Sequence, residues 1–99
     1  MHKLTIQLQV WLDKSGENVK RLFREVEVPF VPFVGLSISS NGWESGPLES
    51  IRWDIDKELF IGRVADERPG EYGDSYINGS ELLEIMLDNG WQKSERKPA

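Results

Sequence analysis

The first twelve residues alternate between polar and apolar side chains, which predicts a long, half-buried β-strand. Leu4, Ile6, Leu8 and Val10 are each separated from the next by one polar residue. A spacing of two places alternate side chains on opposite faces of an extended chain. We therefore expect a strand that presents its apolar residues to a hydrophobic core and its polar residues to solvent.

A second alternating run follows the first after a stretch of turn-forming residues at 13–18. The run extends from Val19 to Phe30, and glutamates alternate with Val26 and Val28 within it. This pattern predicts a hairpin of two antiparallel strands. The start of the run also fits helical spacing, so a short helix ahead of the second strand is an alternative.

The segment VPFVPFVG, residues 28–35, is almost wholly apolar but contains two prolines three residues apart. Because proline has no amide donor, these residues interrupt the hydrogen bonding of a sheet. We expect a corner of a curved sheet, with Phe30 and Phe33 filling the core. The alternative is a self-association surface formed by Phe30, Val31 and Phe33, through which two copies of the chain would form a homodimer.

Three more strands are predicted, over 34–38, 51–55 and 59–65, where apolar residues again dominate or alternate. The segments 39–49 and 66–79 are rich in glycine, serine and acidic residues, and we predict that both are loops. Segment 66–79 exceeds the length of about 12 residues above which loops are usually functional or disordered.

One helix is predicted near the C-terminal end of the sequence. Ser80 is its expected N-cap, and the helix extends to Asn89 and ends at Gly90. Trp91 follows where an apolar side chain commonly packs back onto the last helical turn, here onto Met86.

These elements predict an α+β fold with a single domain over residues 1–91 and a disordered tail over 92–99. The domain would contain a small, curved antiparallel sheet of four or five strands. The sequence does not decide whether this sheet closes into a barrel. The C-terminal helix would pack on one face of that sheet.

Charge is distributed unevenly along the 99 residues, whose net charge is -5. Residues 44–88 contain four Lys or Arg against twelve Asp or Glu. Nucleic-acid-binding proteins gain affinity from clustered basic residues, so this acidic stretch argues against nucleic acid as a partner. It favours a basic or amphoteric protein as the partner. The alternative is that the surplus of acidic residues only keeps the protein soluble.

Few residues are available for catalysis. The chain has no cysteine and its single histidine is His2, so thiolate chemistry and a Ser-His-Asp triad have no support. No catalytic residue, metal site or cofactor is predicted. One alternative is a carboxylate-based protein or enzyme that binds a metal ion or a small ligand through Asp54 and Asp56, with Glu58 as a further candidate.

The N-terminal sequence MHKLTIQLQV lacks the continuous apolar core of a signal peptide, and no stretch is apolar enough for a membrane helix. With no cysteine to form disulfides, we expect a cytoplasmic protein that does not contact membranes.

If the strands formed a simple meander, the turns 13–18, 40–48 and 66–79 would lie at one end of the sheet. That end would carry aromatic residues beside acids, a composition typical of protein-binding surfaces. The candidate partner-binding residues are Trp43, Glu44, Glu71, Tyr72, Asp74 and Tyr76. The alternative is that Trp43 folds back over the edge of the core and the tyrosines hold the long loop in place.

The sequence therefore predicts a non-catalytic protein-binding module, such as a small acidic adaptor or inhibitor. An acidic mimic of nucleic acid, bound in the basic groove of an enzyme, is a further alternative.

Overall fold

The computed structural model describes residues 1–40 and 42–93, which contain eight strands and one helix. In chain order they are β1 (His2–Trp11), β2 (Val19–Val28), β3 (Ser37–Ser40), β4 (Trp43–Asp54), β5 (Leu59–Val64), β6 (Gly70–Tyr72), β7 (Ser75–Ile77), α1 (Gly79–Asp88) and β8 (Gln92–Lys93). The predicted α+β class with one helix is confirmed.

Six of the strands form one curled sheet in the order β3-β4-β5-β1-β2-β8, whereas β6 and β7 form a separate hairpin. The prediction of four or five antiparallel strands is therefore wrong in number and in one pairing. β1 pairs with β2 in antiparallel fashion but with β5 in parallel fashion. The connection after β2 crosses to the far edge of the sheet, and β3, β4 and β5 then return toward the free side of β1.

Irregular pairing in β4 accompanies the curl of the sheet. Its register shifts between Leu48 and Ser50 against β5, and that of β3 shifts between Ser37 and Ser39 against β4. Extra residues of this kind bend a strand and increase its twist. As a result, the twelve residues of β4 pair with β3 near one end and with β5 near the other.

The hydrophobic core lies on one face of the sheet and under α1. Its buried residues are Leu4, Ile6, Leu8, Val10, Leu22, Leu48, Val64, Leu82 and Trp91. The four from β1 are the apolar positions of the alternating N-terminal pattern. Gly62 belongs to this face as well, because a Cβ there would lie 2.8 Å from Leu48 Cδ2.

Helix α1 begins two residues earlier than predicted. Asn78 is the N-cap: its side-chain oxygen accepts a hydrogen bond of 2.9 Å from the Glu81 amide, in a capping box with the Glu81 side chain. Asn is as good an N-cap as Ser, so composition alone did not distinguish Asn78 from Ser80. The predicted ending is present, since Gly90 has a φ of 96° and the Trp91 amide donates to the Met86 carbonyl.

The segment VPFVPFVG leaves the sheet after Val28 and connects β2 to β3. Phe30 and Phe33 are 43% and 54% exposed, so the expectation that they fill the core is wrong. Pro32 takes the buried position instead. With Pro32 facing inward, the two phenylalanine rings lie 6.1 Å apart on the outside of the connection.

Two segments predicted to lack regular structure contain strands. Residues 39–49 include the start of β4, and residues 66–79 include the β6–β7 hairpin. Of the predicted tail, Gln92 and Lys93 form β8 against β2, and residues 94–99 lie outside the described part of the chain. Among the described residues, no helix is long and apolar enough to cross a membrane.

Candidate functional site

The β6–β7 hairpin carries four of the six predicted partner-binding residues: Glu71, Tyr72, Asp74 and Tyr76. All four are exposed, and Tyr76 is 51% exposed. Glu71 pairs directly with Tyr76 across the hairpin, so the two side chains share one face. Gly73 has a φ of 66° at the first position of the two-residue loop, where type II′ turns favour glycine.

The hairpin is held against the end of β1. The Trp11 amide donates to the Glu67 carbonyl (2.8 Å), and the Trp11 indole donates to Asp66 Oδ2 (3.0 Å). The Arg68 guanidinium lies 4.2 Å from the centre of the Trp11 ring. Tyr72 OH donates to the Arg68 carbonyl at 2.7 Å. These contacts fix the segment that leads into the hairpin.

The far side of the hairpin is also anchored. Ile77 is partly buried against the core, and Gly79 lies directly on the backbone of Leu12. On the solvent side, Lys14 Nζ is 5.5 Å from the centre of the Tyr76 ring. The exposed residues are therefore presented by a short hairpin with both ends attached to the domain.

Two groups at the base of the hairpin have shifted acidities. Burial raises the pKa of Glu67, and the hydrogen bond from Tyr72 opposes that shift. Burial also raises the pKa of Tyr72, reinforced by the nearby carboxylate of Glu67. Both shifts favour the protonated form and point to partial dehydration at this junction.

Trp43 and Glu44 lie on β4, apart from the hairpin. Trp43 is half-buried: the Arg24 guanidinium lies 3.7 Å from its ring centre, and the Trp91 ring lies 6.2 Å away. This contact set matches the alternative in which Trp43 covers the edge of the core. Glu44 is exposed and accepts a 3.4 Å hydrogen bond from the Ser37 hydroxyl.

The carboxylates Asp54, Asp56 and Glu58 lie around the β4–β5 turn. Asp54 Oδ1 accepts hydrogen bonds from the amides of Asp56 (3.1 Å) and Lys57 (3.0 Å), so this carboxylate stabilises the turn. Across residues 1–40 and 42–93 there is no group of three or more His, Cys, Asp or Glu side chains arranged to hold a metal ion.

A groove of about 680 Å³ lies over the sheet face opposite the core and was not anticipated from the sequence. We call it the open-face groove. Its polar and aromatic lining consists of Gln7, Gln9, Arg21, Phe23, Arg52, Asp54, Lys57 and Arg63. These residues come from β1, β2, β4, β5 and one turn. Alternation predicted that Gln7 and Gln9 face away from the core, but no local signal showed that β5 pairs with β1.

The self-association residues Phe30, Val31 and Phe33 belong to a set of exposed apolar residues, which we call the apolar end. Its exposed residues are Met1, Phe30, Val31, Phe33, Val34, Trp53 and Ile55. Strand pairing of His2 with Val28, and of Phe60 with Leu4 and Trp53, places Met1, Trp53 and Ile55 toward the end where β1 begins. Residues 30–34 lead from there to Gly35, whose amide donates to the Leu48 carbonyl.

Comparison with known proteins reveals no relatives: no family model, no curated protein and no solved structure matches this chain.

Proposed function

We propose that this chain is a non-catalytic, cytoplasmic protein-binding domain that contacts a basic segment of a partner protein through its β6–β7 hairpin. The observation that carries the proposal is the presence of exposed tyrosines and carboxylates on a hairpin attached to the domain at both ends. Tyrosine contributes strongly to interface energy because it buries a large area at a small cost in side-chain entropy.

Charge favours a basic partner. Glu71 and Asp74 lie beside Tyr72 and Tyr76, and all are solvent-exposed. Acidic groups next to aromatic rings attract Lys and Arg side chains by charge and by stacking on the ring faces. The contact of Lys14 with the Tyr76 ring is an intramolecular example of that stacking.

Attachment of the hairpin lowers the cost of binding. A loop that becomes ordered on binding loses conformational entropy, whereas a preorganised hairpin has already lost it on folding. The hydrogen bonds and the cation–π contact that join Trp11, Asp66, Arg68 and Tyr72 hold the hairpin in one conformation. The proposed interface therefore centres on Glu71 and Tyr76, which share the hairpin face opposite Tyr72.

The proposal is tested with a fluorescein-labelled peptide rich in arginine and leucine, whose binding is followed by fluorescence anisotropy. Glu71→Lys should weaken binding about tenfold, as expected for an interface hot spot. The matched control is Glu84→Lys, the same charge reversal on the exposed face of α1, which should change affinity by less than about twofold.

A second pair of variants separates aromatic contact from net charge. Tyr76→Ser should lower the affinity for the peptide about tenfold, whereas Ile85→Ser, at another exposed apolar position, should change it little. Equal losses for Glu71→Lys and Glu84→Lys would mean that the peptide senses only overall charge. That result, or full affinity in Tyr76→Ser, would overturn the proposal. Thermal unfolding of each variant verifies that it remains folded.

A further inference from the structure

The open-face groove is a cluster of basic groups on a protein that is acidic overall. Its lining contains the cations Arg21, Arg52, Lys57 and Arg63 and a single carboxylate, Asp54. The chain as a whole has a net charge of -5. The sheet therefore separates charge: four cations drawn from three strands and a turn share one face, although they are far apart in the sequence.

Strand pairing defines how these groups are arranged. Gln7 pairs with Phe23 on one side and with Arg63 on the other, so the three form a row across β2, β1 and β5. Neighbouring strands lie about 4.8 Å apart, which places Phe23 and Arg63 about 10 Å from each other. Arg21 pairs with Gln9 and Arg52 pairs with Ile61, so the cations follow a diagonal line over the face.

The positive charge of this line is largely uncompensated. Within the described part of the chain, Arg21, Arg52 and Lys57 have no carboxylate within salt-bridge distance. Arg63 contacts Asp66 Oδ1 at 3.4 Å, and that carboxylate also accepts a hydrogen bond from Trp11. The Asp54 carboxylate is directed to backbone amides of its own turn. All three arginines are exposed, and among the described residues Arg21 and Arg52 have no carboxylate partner that would compete with an anion.

The residue types indicate which anion would fit. Guanidinium groups bind phosphate with two parallel hydrogen bonds, and this groove is lined by three arginines and one lysine. Gln7 and Gln9 supply amide donors and acceptors, and Phe23 supplies an aromatic face. The volume of about 680 Å³ lies in the range of sites for small organic ligands.

We propose that the open-face groove binds a small ligand with two or more adjacent phosphoryl groups, of the nucleoside di- or triphosphate class. A long nucleic-acid strand is disfavoured because the same sheet face carries Glu25 and Glu27 beyond the groove. Glu25 pairs with Thr5 and Glu27 with Lys3, next to the row that contains Gln7. A strand that ran past the groove in this direction would meet these carboxylates, whose negative charge offsets the positive charge of Lys3 and Lys57 beside them.

The test is isothermal titration of the full chain with tripolyphosphate, ATP and an eight-nucleotide thymidine strand at low salt. Tripolyphosphate and ATP should each bind saturably. The double variant Arg21→Gln/Arg52→Gln should lower the affinity for both ligands about tenfold or more, because it removes charge-assisted hydrogen bonds. The control Lys20→Gln removes a charge next to Arg21 in the chain but on the opposite face of β2, and should change affinity less than about twofold.

Three results would overturn the proposal. One is the absence of saturable binding of both tripolyphosphate and ATP to the wild-type chain. Another is an equal loss in Lys20→Gln, which would reduce the effect to overall charge. The third is tighter binding of the thymidine strand than of tripolyphosphate, which would make the face a nucleic-acid site. Phe23→Leu should lower the affinity for ATP but not that for tripolyphosphate. This difference would identify the side of the groove that contacts the base. Circular dichroism of the variants verifies folding.

Discussion

Gly79 lies where α1 meets β1, in a space that no larger residue can occupy. A Cβ at this position would lie 2.4 Å from Leu12 Cα and 2.5 Å from the Leu12 carbonyl oxygen. Backbone atoms cannot rotate away as a side chain can. The close approach therefore fixes the height of the helix above the sheet and the position of the hairpin that precedes it.

Gly79→Ala should consequently destabilise the fold by about 1–3 kcal/mol, despite the higher helix propensity of alanine. The matched control is Gly70→Ala in β6, where an added Cβ has no heavy atom within 4 Å and φ is not positive. That variant should change the free energy of unfolding by less than about 0.5 kcal/mol. Urea unfolding measures both, and a neutral Gly79→Ala would show that α1 does not pack this closely on Leu12.

Glu67 makes stability depend on pH at the base of the hairpin. Burial raises its pKa above the ordinary value of 4.5, so the folded chain holds this proton more tightly than the unfolded chain does. The stabilising contribution of the protonated group is therefore present at low pH and is lost as pH rises from 4.5 through the folded-state pKa.

Glu67→Gln removes this titration. Relative to wild type, we expect the variant to be more stable near pH 7 than near pH 4, with a larger free energy of unfolding, because only wild type buries a charge at pH 7. Urea unfolding at both pH values provides the comparison. If the variant and wild type differed in stability by the same amount at pH 4 and at pH 7, the protonation of Glu67 would not be coupled to folding.

At the scale of elements, α1 depends on its capping box. Asn78→Ala removes the acceptor for the Glu81 amide and should cost about 1 kcal/mol. Ser80→Ala changes an exposed residue in the first turn and should cost less than about 0.5 kcal/mol. Chemical denaturation compares the two. The opposite order of losses would place the N-cap at Ser80.

Elements with a strong pattern of their own could be predicted from the sequence. Strand β1 has strict alternation, and the region of α1 has a broad apolar face followed by Gly90, so both were located well. Strands β6 and β7 have only three residues each, inside a polar stretch where periodicity has no length over which to develop. Their turn at Gly73 and Asp74 was the local signal that could have located the hairpin.

At the scale of the whole molecule, the arrangement of strands decides which residues meet, and local patterns do not contain it. Arg63 and Gln7 are neighbours only because β5 pairs in parallel with β1. A meander would have separated them, and the open-face groove was missed for that reason. The hairpin and the turn at 13–18 do lie at one end, as shown by the contact of Lys14 with Tyr76, but Trp43 belongs to the core edge.

The molecule thus has three distinct surfaces: an acidic, aromatic hairpin, a basic groove and an apolar end. Phe33, 54% exposed, lies on the apolar end, and self-association through that surface stays a prediction. If both proposals hold, the separation of opposite charges onto different surfaces would let one small domain bind a basic protein segment and an anionic ligand at the same time.

The most direct test of this account is a map of amide chemical shifts in one ¹⁵N-labelled sample, titrated first with the arginine-rich peptide and then with tripolyphosphate. We predict that the peptide shifts residues 70–77 and that tripolyphosphate shifts the amides of β1, β2 and β5 around Gln7, Arg21 and Arg63. Peptide shifts spread over acidic residues throughout the domain, with no concentration on the hairpin, would contradict the central claim that the hairpin is a protein-binding site.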